Sequence, residues 1–92
     1  MIEAVALNPR DNVGVALADI KSGAKVKIHG RESWVKMVEP IPYQHKFSLA
    51  PIASGQEIIK DGVVIGKATQ DIELGQHVHT HNMTGLRLKV KK

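Results

Sequence analysis

Apolar and polar residues alternate along this chain in short stretches and do not recur at helical spacing. Val13, Val15 and Leu17 alternate with Gly14, Ala16 and Ala18, and Val26 and Ile28 alternate with Lys25 and Lys27. Trp34 to Val38 forms another β-prone run, and Phe47 and Leu49 restart the alternation after Pro40 and Pro42. A period of two puts successive side chains on opposite faces of a strand, so each stretch predicts a short half-buried strand. His29 to Ser33 is the expected loop between the second and third. The two prolines interrupt the pattern because proline has no N–H to donate to a ladder. No window of eleven or more residues carries an i, i+3, i+4, i+7 apolar stripe free of Gly or Pro, so no helix is predicted. At the end, Leu86, Leu88 and Val90 alternate with Arg87, Lys89 and Lys91, which predicts a last strand with its cations outward.

The turns are equally informative. Asp61-Gly62 lies between Glu57-Ile58-Ile59-Lys60 and Val63-Val64-Ile65-Gly66, the pattern of a two-residue hairpin whose turn needs positive φ. A near-repeat of the form Ile-x-x-Gly-x-x-(Val/Ile) recurs from Ile20 to Val26, Ile52 to Ile58 and Ile72 to Val78. In such a corner the Ile anchors a tight turn, the Gly supplies a backbone angle other residues resist, and the β-branched residue opens the next strand. Gly23, Gly55 and Gly75 are 32 and 20 residues apart, so the repeat is a reused corner and no solenoid. The expected fold is a compact all-β single domain over residues 1–92, made of several small sheets folded over one another. An OB-like or SH3-like barrel is the structural alternative.

Composition narrows the function. One Trp, one Tyr and one Phe among 92 residues leave the core to Val, Ile, Leu and Ala and largely exclude base-stacking platforms. The absence of Cys removes thiolate catalysis and Cys-ligated metal, leaving His and carboxylates as candidate ligands. The longest apolar run, Ala4 to Leu7, is far below the ~20 residues of a membrane span, and no secretory pattern opens the chain; a cytoplasmic protein with no membrane contact is expected. The net charge is +4, from 13 Lys+Arg and 9 Asp+Glu. Arg87, Lys89, Lys91 and Lys92 account for it, since without them 9 cations face 9 anions. The body is neutral, and no nucleic-acid partner is expected.

The chemistry lies with the histidines. Three of five fall in Gly75-Gln76-His77-Val78-His79-Thr80-His81-Asn82. On a strand, His77, His79 and His81 would share one face and Val78, Thr80 and Asn82 the other. Three such imidazoles span about 13–14 Å at a rise of ~3.3 Å per residue, too far for one metal ion to take all three. Two of them with a third group from elsewhere could hold a metal; an anion or proton-transfer site is the other reading. His45-Lys46 follows the proline break, where a loop exit can aim polar side chains at a ligand. His29 reads as ordinary surface. Glu39, Asp11 and Asp71 are carboxylates without a distinguishing spacing, and Asp71 has a turn role in the corner. Nucleotide-binding, hydrolase and zinc-protease motifs are absent, and 92 residues enclose a pocket of a few hundred Å3 only with difficulty. A partner is therefore expected to complete any catalytic site.

Four stretches together carry a family resemblance: Asp11-Asn12-Val13-Gly14-Val15-Ala16-Leu17, Ile41-Pro42-Tyr43-Gln44-His45-Lys46-Phe47-Ser48-Leu49, Val64-Ile65-Gly66-Lys67-Ala68-Thr69-Gln70-Asp71-Ile72, and Gly75 to Asn82. In this order the chain resembles the small SAF-type domain of the altronate/galactarate dehydratase family. The His-Lys-Phe and Gly-x-His-Val-His-Thr-His-Asn elements are specific to that family, whereas the Ile-x-x-Gly corner belongs to SAF domains generally. The chain departs from the pattern at Gln44, where relatives often have Gly, and over residues 30–37, which are longer and more individual.

The resemblance implies a β-clip of short two-stranded ribbons and a small domain that accompanies a larger catalytic portion, in one chain or as a separate subunit. Relatives remove a proton next to a carboxylate and expel the β-hydroxyl, with iron, or with manganese or another divalent metal. The expected function is thus the small subunit of a lyase, a hydro-lyase inactive alone, acting on a sugar acid or related hydroxy-carboxylate. The start at Met1 and the end soon after the His cluster fit a separate subunit and equally a piece cut from a longer chain. His45, Lys46 and His81 are its candidate catalytic residues, Lys46, His77 and Asn82 its candidate substrate contacts, and His79 and His81 its candidate metal ligands, in a site shared with the large subunit. One alternative is the sulfolactate sulfo-lyase branch, with sulfite as the leaving group. Another is a binding module for an acidic sugar or a protein. A homo-oligomer is compatible with each.

Overall fold

A computed structural model describes residues 2–85; the last predicted strand, residues 86–91, lies outside them. Among the described residues there is no helix, and nine short strands form three antiparallel sheets. Strands β1 (Ala4–Val5), β2 (Val13–Ala16), β5 (Lys46–Ser48) and β8 (His77–Val78) form one sheet in the order β1-β2-β5-β8. Strands β3 (Lys25–Lys27) and β4 (Trp34–Lys36) form a ribbon, and β6 (Glu57–Lys60), β7 (Val63–Ala68) and β9 (Met83–Gly85) form the third sheet. The all-β expectation holds, and the alternation holds in β3 and β4, each exposed, buried, exposed; β2 and β5 instead bury both faces, and Leu17, expected inward, is exposed. The Asp61-Gly62 hairpin also forms, with φ of 55° and 77° at its two residues. No described helix is long and apolar enough to cross a membrane.

The corners organise the molecule, and among the described residues there are four of them. Three are those visible in the sequence; the fourth is Ile41-Pro42-Tyr43-Gln44-His45-Lys46-Phe47, in which Gln44 adopts φ 68° where the others have Gly23, Gly55 and Gly75 at 81° to 87°. In each, the positive-φ residue donates its N–H to a neighbouring strand: Gly23 to Met37 O (2.7 Å), Gln44 to Ala16 O (2.7 Å), Gly55 to Ala68 O (2.8 Å) and Gly75 to Ser48 O (3.0 Å). Six residues after each Ile comes a buried apolar residue, Val26, Phe47, Ile58 or Val78. The corners then meet in pairs. Ile20 bridges Ile41, and Ile52 bridges Ile72. The Asp before one Ile of each pair completes the joint: Asp19 Oδ1 accepts from Tyr43 N (2.8 Å), and Asp71 Oδ1 accepts from Ser54 N (2.9 Å). A side-chain oxygen thus satisfies a backbone donor that the turn would leave unpaired.

Each joint serves its own core. Ala4, Ala6, Ala16, Ile20, Val26, Ile28, Val35, Met37, Ile41 and Phe47 make one, and Val13, Ile52, Ile58, Ala68, Ile72 and Val78 the other. The four-stranded sheet runs between them. Its register places Phe47 opposite Gly14 and His77, and Lys46 opposite Val15 and Val78, so Phe47 faces the first core while Val78 faces the second. Gly14 is where Phe47 fits, since a Cβ there would lie 2.7 Å from Phe47 Cζ.

Candidate active site

Four imidazoles converge at the end of the β5–β8 pair. Phe47 opposite His77 and Lys46 opposite Val78 fix the register, and one further step places His45 opposite His79 on the same face as Phe47. The rings of His45 and His79 accordingly stack at 4.4 Å between centroids, 11° from parallel. His45 lies diagonally from His77, and His45 Nδ1 is 2.8 Å from His77 Nε2, a hydrogen bond. His81 completes the group, its ring 5.4 Å from that of His77.

This convergence departs from the straight strand expected for residues 77–82. β8 ends at Val78, and a turn over His79 to Asn82 folds the segment back: Asn82 N and Met83 N both donate to His79 O, at 3.0 and 3.1 Å. Asn82 is the reason. Its side chain is fully buried; Oδ1 accepts from His79 N (2.9 Å) and Nδ2 donates to His77 O (2.8 Å). Asn82, a candidate substrate contact by sequence, here uses its amide to hold the turn that gathers the histidines. The span of a straight strand is thereby replaced by ring contacts of 4.4 to 5.6 Å.

The remaining candidates surround the cluster. Lys46 starts from the opposite face of the pleat to His45 and Phe47, yet its charge is felt at His79. Glu39, one of three carboxylates that no spacing distinguished, is drawn to the site by a long-range contact invisible in the sequence, accepting from His77 N through Oε2 (3.0 Å). Asp11 is structural: it is buried, and its Oδ1 accepts from Gly62 N (2.8 Å). His29 is exposed between β3 and β4. Burial is the main cause that lowers the pKa of His77, joined by His45, His81 and His79 and opposed by the Glu39 carboxylate. His79 is lowered by burial first, then by His45, Lys46 and His81. Both rings are thus biased toward the neutral form.

Among the described residues, no three His, Asp or Glu side chains are gathered so as to hold an ion. Imidazole lone pairs lie in the ring plane, and rings stacked 11° to 27° from parallel point them side by side and not at a common centre. His79 stacks on His45 while His81 leans on His77. These residues do not fit a metal held by this chain alone. They do fit proton exchange. Two neutral imidazoles that share one hydrogen, as His45 Nδ1 and His77 Nε2 are placed to do, leave the donating ring an acceptor at its outer nitrogen and the accepting ring an N–H at its own. Either tautomer presents one donor and one acceptor.

A family model describing the altronate/galactarate dehydratase SAF domain matches residues 2–86. The chain belongs to that family. The SAF domain is 41% identical over 78 residues to altronate dehydratase of Escherichia coli (strain K12) and 38% identical over 78 residues to altronate dehydratase of Bacillus subtilis (strain 168). Each match covers 85% of this chain and 15% of the relative, so the chain spans about a seventh of their length. It is also 31% identical over 87 residues to the (2R)-sulfolactate sulfo-lyase subunit alpha of Chromohalobacter salexigens, covering 89% of this chain and 93% of that one. The SAF domain is therefore lyase-related, and its resemblance and β-clip expectation hold. The open surface around its histidines contrasts with the hollow of about 450 Å3 lined by Ile2, Lys27, Ile28, His29, Gly30, Arg31 and Glu32, which contains none of the clustered rings.

Proposed function

We propose that this SAF domain is the non-autonomous small subunit of a lyase that eliminates water from a sugar acid or related hydroxy-carboxylate, its imidazole cluster closing an active site against a larger catalytic polypeptide. The carrying observation is the His45–His77 pair, which offers one proton acceptor and one donor side by side. An elimination needs both: a base for the proton next to the carboxylate and an acid for the departing oxygen. The lowered pKa of His77 and of His79 favours the neutral form that the accepting role needs. Lys46 pairs with a carboxylate oxygen of the substrate, and any divalent metal of the reaction is held chiefly by the larger polypeptide. The open surface around the cluster supports the need for that partner, because water is not excluded by this chain.

The similarity to the sulfo-lyase subunit alpha favours a second reading, sulfite elimination from a sulfonated hydroxy acid. The two differ in the product. The test is to purify the chain with its co-purifying catalytic polypeptide, assay dehydration and sulfite release, and repeat with His45→Ala and His79→Ala. Each substitution is expected to lower kcat by about 10²–10⁴-fold with the far-UV circular dichroism of the chain unchanged. Unaltered turnover in both variants would sink the assignment.

A further inference from the structure

The ribbon β3–β4 carries a face that the imidazole site does not use. Both strands alternate exposed, buried, exposed: Val26 and Val35 turn into the first core, while Lys25, Lys27, Trp34 and Lys36 turn outward. The register sets Lys25 directly opposite Lys36 and Lys27 directly opposite Trp34. Like charges paired across strands are unfavourable, and among the described residues no carboxylate lies in ion-pair contact with any of these lysines; the ion pair present is Lys60–Asp61. Trp34, the chain's single Trp, is 61% exposed. An exposed indole is the kind of anchor that interfaces favour, and an uncompensated cationic row beside it steers an acidic partner.

The outward row continues from Trp34 and Lys36 to Val38, also exposed. Val38 N donates to Gly75 O (3.1 Å), and the next residue, Glu39, holds His77. The end of the row is thus tied by hydrogen bonds to the segment that carries the histidines. A second copy of the same face is excluded by charge, because it would set lysine against lysine.

We infer that the outer face of the β3–β4 ribbon docks onto an acidic protein surface of the catalytic polypeptide that covers the imidazole cluster. This rests on the function proposed above. The lysines meet carboxylates, and Trp34 supplies the apolar anchor. The ribbon is held in a repulsive arrangement that the partner relieves.

The charge pair provides a test with two opposite readouts. Lys25→Glu converts a repulsive cross-strand pair into an attractive one, so the thermal midpoint of the chain is expected to rise. Its affinity for the co-purifying catalytic polypeptide, measured by calorimetric titration at low and high salt, is expected to fall by about tenfold or more, with a flatter salt dependence. Trp34→Ala is expected to weaken association at both salt concentrations, while kcat of the saturated complex stays at the wild-type value for both variants. Wild-type affinity and salt dependence in both variants would overturn the docking face and leave the proposed function standing. A wild-type chain that binds no catalytic polypeptide would overturn both. Quenching of Trp34 emission by a single-stranded oligothymidylate, lost in Lys25→Glu, would overturn the protein partner in favour of nucleic acid.

Discussion

At His77, burial and the neighbouring imidazoles of His45, His81 and His79 outweigh the attraction of Glu39, and the protonated ring is disfavoured in the fold. His79 is biased the same way by burial, His45, Lys46 and His81. The consequence for stability has a definite sign. In the unfolded chain these rings take up protons as the pH falls through the ordinary value of 6.5; in the fold they do so only at lower pH. Between the two values the unfolded state binds more protons, so stability falls as the pH drops below 6.5 and is unaffected by these groups above it. The loss is complete once the pH lies below the folded values. Thermal midpoints of the wild type and of the double variant His77→Gln/His79→Gln, followed from neutral to mildly acidic pH, check this. The wild type is expected to lose more on acidification, and equal losses would remove the two imidazoles as its cause. The histidines themselves were legible in the sequence as a group. Their meeting was not, because it depends on the pairing of β5 with β8, which sets His79 opposite His45, and on Asn82, whose buried amide ends β8 and turns the chain at His81.

Among the elements, the corner is the unit that recurs, and its positive-φ position does different work in different copies. At Gly75 the position is also crowded: a Cβ would overlap the carbonyl oxygen of Lys36, a backbone atom with nowhere to go. Gly75→Ala is therefore expected to cost at least about 2 kcal/mol, from the backbone angle and the overlap together. At Gln44 a side chain is already accommodated at φ 68°. Gln44→Gly exchanges the strain of a left-handed residue for the greater entropy loss of glycine, so stability is expected to stay level or rise by up to about 1 kcal/mol. Urea midpoints of the two variants should thus move in clearly different ways, and a loss at Gln44 as large as that at Gly75 would show that the fourth corner is not equivalent to the others. Three corners were readable because glycine marks them. The fourth was hidden by its Gln, although Ile41 and Phe47 keep the same spacing as Ile20 and Val26. The hairpin at Asp61-Gly62 and the interior faces of β3 and β4 were readable for the same kind of reason, since turn chemistry and alternation are local, whereas β2 and β5 lie between two cores and bury both faces. Glu39 could not be found that way: its partner is 38 residues distant.

On the scale of the molecule, the two cores cannot be independent, because one sheet belongs to both. Phe47 packs in the first core from β5, while Val13 from β2 and Val78 from β8 pack in the second. The imidazole cluster is built where these strands end: His77 is the cross-strand neighbour of Phe47 and the sequence neighbour of Val78. Weakening the second core should therefore loosen the first core and the site together. Ile58, fully buried in the second core, is the position to weaken. Ile58→Val is expected to cost about 0.5–1.5 kcal/mol, a shift of about 4–8 °C per kcal/mol for a domain of this size. Trp34, on the ribbon over the first core, reports one half through its emission; far-UV ellipticity reports every strand. Both midpoints are expected to fall by the same amount and to coincide in wild type and variant, as a single cooperative transition requires. If the Trp34 midpoint stayed at its wild-type value while the ellipticity midpoint fell, the halves would melt separately, and the shared sheet would not be what holds the histidines in register.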